Sequence, residues 1–422
     1  MSIVFILSII PIIIWAFMAP VASRFVDLNT ITTSIGQILG LVGMTLFSIN
    51  LILAGRFKFL DKYFNGLDKV YANHSKIGSI AFSLILFHPL LLIVKYLAIS
   101  TNQAAMFFVP FVSIPITWGI LSLLLMIILL SFTLYIKLKY HIWKMSHKFM
   151  TLAFFFAVLH ILFITSDVSK NYFLLFYILG LAFIGLGVSI WQAFLSKFFN
   201  KKIKYKVVNI NQLNTNVFEV EMQAFGKQID FISGQFAFFE FLSGGVTSES
   251  HPFTISSCDK ANNIKITVKN LGDYTGLLKN LKLNDYVVID GPYGQFSYKN
   301  VSSKNQIWVA GGIGITPFYS MAQAIGEDYN VDFYYSVKED GEAIYTKELQ
   351  DISLKNPNFK FNLWSAKDKG YINGEVISKI SGGIKDKDIF FCGPPVFMES
   401  LKNQFLELGV GMKKIHYENF SF

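Results

Sequence analysis

Four histidines lie in or beside two long apolar stretches of the N-terminal half, and their spacing is regular. His74 and His88 are 14 residues apart, and His147 and His160 are 13 residues apart. Ionisable groups inside a membrane are costly and usually functional, and imidazole is a common axial ligand of haem iron. If both stretches are helices that run in the same direction, a rise of about 1.5 Å per residue separates the members of each pair by roughly 20 Å in depth. The four side chains therefore predict two stacked bis-histidine haems, an inner one at His74 and His147 and an outer one at His88 and His160.

The helical geometry is less favourable in the second of these stretches. At about 100° per residue, a spacing of 14 returns to within about 40° of the same helix face, whereas a spacing of 13 leaves an offset of about 140°. The helix that carries His147 and His160 is therefore expected to be rewound locally, or to hold its haems off-axis. Pro89 follows His88 directly and is expected to kink its helix. His141 is an alternative inner ligand, but its 19-residue distance from His160 spans too much depth.

Two groups of motifs in the C-terminal half could bind nucleotide cofactors. The first group is HPFT at 251–254 with KNLGDYT at 269–275, among short β-type segments separated by Gly, Asn and Asp. The second group is GGIGITP at 311–317, directly after the apolar segment 307–310, and CGPP at 392–395, after the last apolar segment. Glycines after the first strand of an open parallel sheet let the backbone approach a pyrophosphate, and such sheets bind ligands at the carboxyl ends of their strands. The second group therefore predicts a dinucleotide site.

The histidines require a membrane scaffold, and the hydropathy of the N-terminal half predicts one. Of the 422 residues 53% are hydrophobic and only 15% are charged, against about 25% charged in soluble domains, which argues against a wholly soluble protein. Stretches long enough for a helix to cross a bilayer predict six spans before residue 200. They are 1–23, 28–55, 77–94, 96–136 (with its span at about 111–136), 149–166 and 171–196. The first stretch lacks the basic start of a secretory signal and is interpreted as a span.

The formal net charge of +9 is explained by membrane topology. Fourteen basic residues lie in the second loop, the fourth loop and the linker after the last span: Arg56, Lys58, Lys62, Lys69, Lys76, Lys137, Lys139, Lys144, Lys148, Lys197, Lys201, Lys202, Lys204 and Lys206. The opposite side carries only Arg24, Lys95 and Lys170. The positive-inside rule therefore places both termini in the cytoplasm, and nucleic acid is not expected as a partner. Two cysteines, Cys258 and Cys392, are too few for a disulfide framework, a four-thiolate zinc site or an iron–sulfur cluster.

The nucleotide motifs require two further scaffolds. Alternating residues and regular turns between Lys201 and about Ser303 predict a small antiparallel β-barrel. After Gln306 β-type segments alternate with helical ones, which predicts an open parallel α/β sheet. The predicted domains are therefore a membrane domain at 1–198, a barrel at 199–304 and an α/β domain at 305–422.

With these motifs in this order, the chain resembles the ferric reductase and NADPH oxidase family, and its layout is most similar to the compact bacterial NADPH oxidase-like members. The resemblance covers essentially the whole chain. It implies a membrane all-α six-helix haem-binding bundle followed by a ferredoxin-NADP reductase-like module, which combines an antiparallel β-barrel flavin domain with an α/β nucleotide-binding domain. It also implies FAD, two haem b groups and NADPH or NADH as cofactors.

The resemblance assigns roles to individual residues of the motifs. The residues that it places at FAD are His251, Pro252, Phe253 and Thr254, with Thr254 at the isoalloxazine edge, and Lys269, Gly272 and Thr275 near the pyrophosphate. The residues that it places at NAD(P)H are Gly311, Gly312, Gly314, Thr316, Pro317, Lys338 (at an adenosine 2′-phosphate), Cys392, Gly393 and Pro394. Lys269 supplies a point charge rather than a bidentate fork. Lys338 favours NADPH over NADH only weakly, because a surface lysine explains it equally well.

Two residues are expected at the site of hydride transfer, and both are counted as catalytic. Cys392 is interpreted as a small polarizable wall beside the nicotinamide and not as a nucleophile, because no partner base is evident. Family members end with an aromatic residue stacked on the flavin ring, which the nicotinamide must displace. Phe420 matches that position, and Phe422 is the alternative.

The implied activity is a transmembrane electron relay from cytoplasmic NAD(P)H, through FAD and the inner and outer haems, to an acceptor on the outer face of the lipid bilayer. O₂, giving superoxide, is favoured as acceptor because the outer segments are short and show no evident metal-chelating cluster. A ferric or other metal reductase that uses the same path is the alternative. The sequence has no EF-hand signature, so calcium gating is not expected, nor is an obligatory protein subunit.

A transporter or channel with a redox-sensing soluble half is the competing class of protein. It predicts polar or broken helices in corresponding halves, and the sequence shows no internal repeat. The lack of a targeting peptide and the compact layout suggest a multi-pass protein of a bacterial plasma membrane.

Overall fold

The computed structural model describes residues 2–136, 138–196 and 203–418. The chain divides into two units, one formed by Met1–Phe57 and Val70–Phe199 and the other by Lys58–Lys69 and Asn200–Phe422. The first unit is helical, and the second contains two β-sheets. A short part of the predicted second loop thus groups with the C-terminal half, whereas the predicted domain boundaries at 198/199 and 304/305 stay predictions.

The N-terminal half contains eleven α-helices within the described residues. They are α1 (Ser2–Ala16), α2 (Leu28–Leu53), α3 (Lys58–Phe64), α4 (Leu67–Leu92), α5 (Val94–Leu97), α6 (Thr101–Phe107), α7 (Ile114–Leu134), α8 (Tyr140–Lys148), α9 (Met150–Phe163), α10 (Asp167–Lys170) and α11 (Tyr172–Ile190). A 3₁₀ turn at Val21–Arg24 precedes α2, and a π turn at Trp191–Leu195 extends α11.

Five helical segments are long and apolar enough to cross a membrane. They are Leu28–Leu53, Leu67–Leu97, Ile114–Leu134, Tyr140–Phe163 and Tyr172–Leu195. These segments confirm a membrane-like helical region. Helix α1 has 15 residues, fewer than the roughly 20 that a bilayer requires, so the sixth span stays a prediction.

Glycines bring α2 close to α4, the helix of the first histidine pair. Gly36, Gly40 and Gly43 lie on one face of α2, and a Cβ added at these positions would meet Leu92, His88 and Ile85 of α4 in turn. Small residues at such spacing let the backbones of membrane helices approach closely. Helix α4 continues through Pro89 and ends three residues later, so the proline lies in its last turn.

The helix of the second histidine pair is interrupted at Phe149, between α8 and α9. The Phe149 N–H donates to the Ser146 carbonyl at 3.0 Å, and the Leu152 N–H donates to the Phe149 carbonyl at 2.9 Å. Such three-residue hydrogen bonds turn the chain by about 120° per residue instead of about 100°. The extra rotation turns His160 toward the face of His147, and it confirms the predicted local rewinding.

The first sheet contains six antiparallel strands. They are β1 (Ile203–Asn214), β2 (Val217–Ala224), β3 (Phe236–Leu242), β4 (Ser250–Thr254), β5 (Ile264–Lys269) and β6 (Tyr286–Tyr293), in the order β4-β3-β6-β1-β2-β5. Ile255, just beyond β4, bridges Ile266 in β5, so the two edges of the sheet meet as they do in a barrel. Helix α12 (Asp273–Leu277) connects β5 to β6. The predicted antiparallel domain is confirmed.

The second sheet contains five parallel strands and confirms the predicted α/β domain. They are β7 (Asn305–Gly311), β8 (Asn330–Val337), β9 (Phe359–Ser365), β10 (Asp388–Cys392) and β11 (Ile415–Tyr417), in the order β11-β10-β7-β8-β9. The helices are α13 (Ile315–Ala322), α14 (Thr346–Lys355), α15 (Ala366–Lys369), α16 (Gly374–Ile380) and α17 (Pro395–Glu407). The strand order reverses between β7 and β10, and such a switch point is where open α/β sheets bind ligands.

Candidate cofactor sites

The inner histidine pair lies at a distance that suits a single metal between two axial ligands. The ring centroids of His74 and His147 are 6.2 Å apart, and their planes make an angle of 69°. Two imidazoles on one metal, with bonds of about 2 Å and about 1 Å from each nitrogen to its ring centre, have centroids about 6 Å apart. His141 is exposed in the first turn of α8, and the ring beside His74 is that of His147.

The inner imidazoles are held in different ways. Nδ1 of His74 is 3.0 Å from the carbonyl oxygen of Asn50. Nδ1 of His147 is buried and has no hydrogen-bond partner among the described residues, and the Trp143 ring stacks on the His147 ring at a centroid distance of 5.4 Å. Because a carbonyl only accepts, Nδ1 of His74 carries the proton, and Nε2 is left available to a metal.

Both outer histidines donate Nδ1–H to backbone carbonyls. Nδ1 of His88 is 2.6 Å from the Gly36 carbonyl oxygen, and Nδ1 of His160 is 2.8 Å from the Pro115 carbonyl oxygen. The two histidines also lie within electrostatic range of one another. Each therefore keeps a free Nε2, as a neutral metal-binding imidazole does.

The predicted flavin residues come together on the barrel. The HPFT motif forms most of β4, where Thr254 is buried. The His251 ring stacks on the Tyr274 ring at a centroid distance of 3.7 Å, and its Nε2 is 3.0 Å from Glu249 Oε2. Because Tyr274 belongs to the second motif, this stacking joins the two parts of the predicted FAD site.

The second flavin motif forms the turn before α12. Oγ1 of Thr275 accepts the N–H groups of Leu271 and Gly272 at 3.0 Å each. Lys269 ends β5 and lines a cleft with Gly312 and Tyr335. The cleft thus brings the predicted pyrophosphate lysine next to the predicted dinucleotide loop.

The two nucleotide motifs meet at the switch point of the parallel sheet. Gly312 has a φ of +54°, a left-handed conformation that favours glycine. A side chain at Gly314 would overlap the carbonyl of Cys392, and a Cβ at Gly393 would lie 3.1 Å from Gly311 Cα. The glycines are thus required where the two loops contact each other. Thr316 and Pro317 are buried in the first turn of α13, and Pro394 precedes α17.

The remaining predicted nucleotide residues occupy different surroundings. Lys338 is exposed directly after β8. Cys392 is fully buried, and burial together with the nearby Glu418 raises the pKa of its thiol well above the ordinary value. The side chain therefore stays a neutral thiol, which suits a wall and not a nucleophile. Phe420 and Phe422 lie outside the described residues.

An acidic group that the sequence analysis missed lies beside these residues in the second unit. Oδ2 of Asp61 accepts Gln295 Nε2 at 2.8 Å, and Oδ1 accepts the Gly294 N–H at 3.3 Å. Glu418 is 2% exposed, and its Oε2 has no hydrogen-bond partner in the described part of the chain. Burial, Asp68 and Asp61 raise the pKa of Glu418 well above its ordinary value. No sequence signal connects these groups, because more than 200 residues separate Asp61 from its partners.

A buried hydrogen-bond network, also missed, connects the barrel to the α/β domain. The Tyr345 hydroxyl donates to Glu219 Oε2 at 2.7 Å and is 2.6 Å from Thr267 Oγ1. Lys265 forms an ion pair with Glu219 at 3.0 Å, and the Tyr345 ring stacks on Tyr319 at 3.7 Å. Tyr319 belongs to α13, directly after the glycine loop, so the network supports the nucleotide loop from the barrel side.

Three segments of the chain match known domain families. Residues 39–158 match a ferric reductase like transmembrane component, residues 202–297 match an FAD-binding domain, and residues 308–403 match an oxidoreductase NAD-binding domain. The predicted FAD-binding and NAD(P)H-binding domains are therefore present, and the chain is an oxidoreductase.

Individual relatives match the C-terminal half. Flavohemoprotein B of Dictyostelium discoideum is 31% identical over 153 residues, which are 33% of this chain and 36% of that protein. NADH-cytochrome b5 reductase 2 of Candida glabrata is 29% identical over 170 residues, which are 36% of this chain and 57% of that protein. A ferredoxin NADP+ reductase from Neisseria gonorrhoeae, solved with FAD and NADP, has 18% identity and a TM-score of 0.45 over 52% of this chain and 99% of its own. The chain spans about one third to two thirds of the length of the curated relatives it matches.

Proposed function

Because the chain has the architecture of the ferric reductase and NADPH oxidase family, we propose that it transfers electrons from cytoplasmic NAD(P)H, through FAD and two b-type haems, to an acceptor on the outer face of a bacterial plasma membrane. The observation that carries this proposal is the pair of histidine sites at two levels of the helices α4 and α8–α9. The inner pair has the centroid distance of two axial ligands. Both outer histidines present a neutral imidazole. The donor set therefore fits haem.

The cofactors supply the redox chemistry: when bound, FAD accepts a hydride and releases electrons singly, and haem iron carries one electron at a time. The chain's own residues bind and orient them. His74 and His147 would hold the inner haem, and His88 and His160 the outer one. The glycine loop at 311–314 would admit the pyrophosphate of NAD(P)H.

The other predicted residues act by position and charge. Lys269 would neutralise phosphate charge where the barrel cleft meets Gly312. Cys392 leaves space beside the nicotinamide without taking part in bond formation, because it stays a neutral thiol. Phe420, or Phe422 in its place, would cover the flavin ring until the nicotinamide displaces it.

O₂ is the acceptor that we favour, with superoxide as product. The segments on the predicted outer side are short and consist largely of α5, α6 and α10. The outer charges Arg24 and Asp167 pair with each other at 3.0 Å, which supports a small uncharged acceptor over a chelated cation. A ferric reductase would use the same electron path. Neither acceptor requires a further protein subunit.

An anaerobic difference spectrum of the detergent-purified protein with FAD, before and after NADPH, tests the proposal. We expect the bands of reduced bis-histidine b-type haem at about two haems per chain. If the purified protein contains no haem, the four-histidine hypothesis is wrong, and a membrane-tethered flavin reductase is left. Admission of air, followed by superoxide dismutase-sensitive reduction of cytochrome c, then distinguishes an oxidase from a metal reductase.

A further inference from the structure

The outer histidines share an arrangement that the inner ones lack. Each outer imidazole donates to a carbonyl on a neighbouring helix, and the residue four positions after that carbonyl is a glycine. For His88 the carbonyl is that of Gly36, and a Cβ at Gly40 would lie 2.7 Å from its Nδ1. For His160 the carbonyl is that of Pro115, and a Cβ at Gly119 would lie 3.0 Å from its Nδ1.

The geometry of the α-helix explains why glycine is needed there. A helical side chain points back toward the N-terminus and covers the turn that precedes its own Cα. Any side chain at Gly40 would therefore cover the Gly36 carbonyl, and any side chain at Gly119 would cover the Pro115 carbonyl. A carbonyl oxygen has two lone pairs, so it can accept both its helical N–H and an imidazole N–H once the ring can approach.

The inner pair is built differently. His74 reaches the carbonyl of Asn50, which lies in the last turn of α2, where carbonyls are accessible because the helix ends. His147 has no Nδ1 partner in the described chain and is held by stacking on Trp143. Two anchored imidazoles thus face the outer site, and one faces the inner site.

We propose that Gly40 and Gly119 are positioning residues that seat His88 and His160 against their carbonyl acceptors. The inference rests on the proposed function, in which these histidines are haem ligands. A hydrogen bond from Nδ1 fixes the ring orientation and raises the basicity of the ligating nitrogen. The two glycines therefore strengthen electron donation to the outer iron and lower its reduction potential.

The test compares G40A and G119A with wild type in the full-length protein. Haem content, the low-spin ferric EPR signals and the midpoint potentials are measured. We expect either a fall from about two haems per chain to about one, or a retained outer haem with a changed EPR signal and a higher potential. The inner haem signal and the reduction of FAD by NADPH should persist. G119A has the longer contact and is the milder variant if G40A fails to accumulate.

Two matched variants separate imidazole seating from helix packing. Gly43 faces α4 on the same side of α2, but an added Cβ would contact Ile85 at 2.8 Å and no histidine. Gly180 in α11 has open space. G43A and G180A should keep both haems with unchanged EPR signals and potentials.

The inference is overturned if G40A and G119A keep two haems with unchanged spectra and potentials, or if G43A reproduces the loss seen in G40A. A wild-type protein without haem would instead contradict the proposed function, so the two failures are distinguishable.

Discussion

At the scale of single residues, the carboxyl of Glu418 has the clearest energetic consequence. It is 2% exposed and lies near Asp68 and Asp61. Burial penalises the ionised form and neighbouring acids add to that penalty, so the folded protein holds this group protonated. The residue follows β11 directly, and its carbonyl faces the thiol of Cys392, which places a neutral carboxylic acid beside the predicted nicotinamide site.

Substitution of Glu418 by Gln should change the pH dependence of stability. The folded pKa lies above the unfolded one, so folding binds a proton between the two values, and wild-type stability falls as pH rises through that window. The fall is about 1.4 kcal/mol per pH unit. E418Q removes this loss, so its advantage over wild type should grow from pH 5 to pH 8 in thermal or urea unfolding. E407Q, at the exposed end of α17, is the control, and an advantage of E418Q that does not change with pH would contradict the argument.

At the scale of elements, the glycine loop shows what a sequence can and cannot predict. The position of GGIG after a buried strand predicts a nucleotide loop, and CGPP after the last strand predicts a second wall at the same sheet edge. Which glycines are indispensable follows only from the structure, because the contact between Gly314 and Cys392 depends on β7 and β10 being neighbours.

Replacing Gly314 by Ala should weaken NADPH binding. The new Cβ would overlap the Cys392 carbonyl, and backbone displacement of this kind typically costs about 1–3 kcal/mol. We expect the NADPH concentration for half-maximal anaerobic FAD reduction to rise about tenfold or more. Gly411 has open space, so G411A should behave as wild type. Equal NADPH dependence in G314A and wild type would show that the two loops can separate freely.

The membrane helices were predictable to a similar degree. Hydropathy located five spans, and helical angles required a rewound segment between His147 and His160. The site of that break at Phe149 was not predictable, since it depends on individual hydrogen bonds. The segment 58–69 was predicted as loop because its residues are polar and basic. The structure instead folds it into α3 and the start of α4, since its buried partners lie far away in the chain.

At the scale of the whole molecule, the distribution of basic residues makes a testable statement about topology. Fourteen basic residues on one predicted side, against three on the other, place both termini in the cytoplasm. The segments Arg24, Lys95 and Lys170 then face outward together.

Single cysteines introduced into a C258S background should report this topology. Thr101 is exposed at the start of α6, and Lys227 is exposed on the barrel. We expect a membrane-impermeant maleimide to label T101C in intact cells and K227C only after lysis. The reverse pattern would mean that the chain is inserted in the opposite orientation. Wild-type and C258S proteins serve as controls for residual labelling of the buried Cys392.

The partners of Asp61 also determine the order in which the chain can complete its structure. Asp61 accepts hydrogen bonds from Gly294 and Gln295, which lie 233 and 234 residues later. Because synthesis proceeds from the N-terminus at roughly 5–20 residues per second, this carboxylate waits roughly 10–50 s for its donors. The early membrane helices are thus made with one cytoplasmic segment still unfinished, and the last steps of folding join sequences from opposite ends of the gene product.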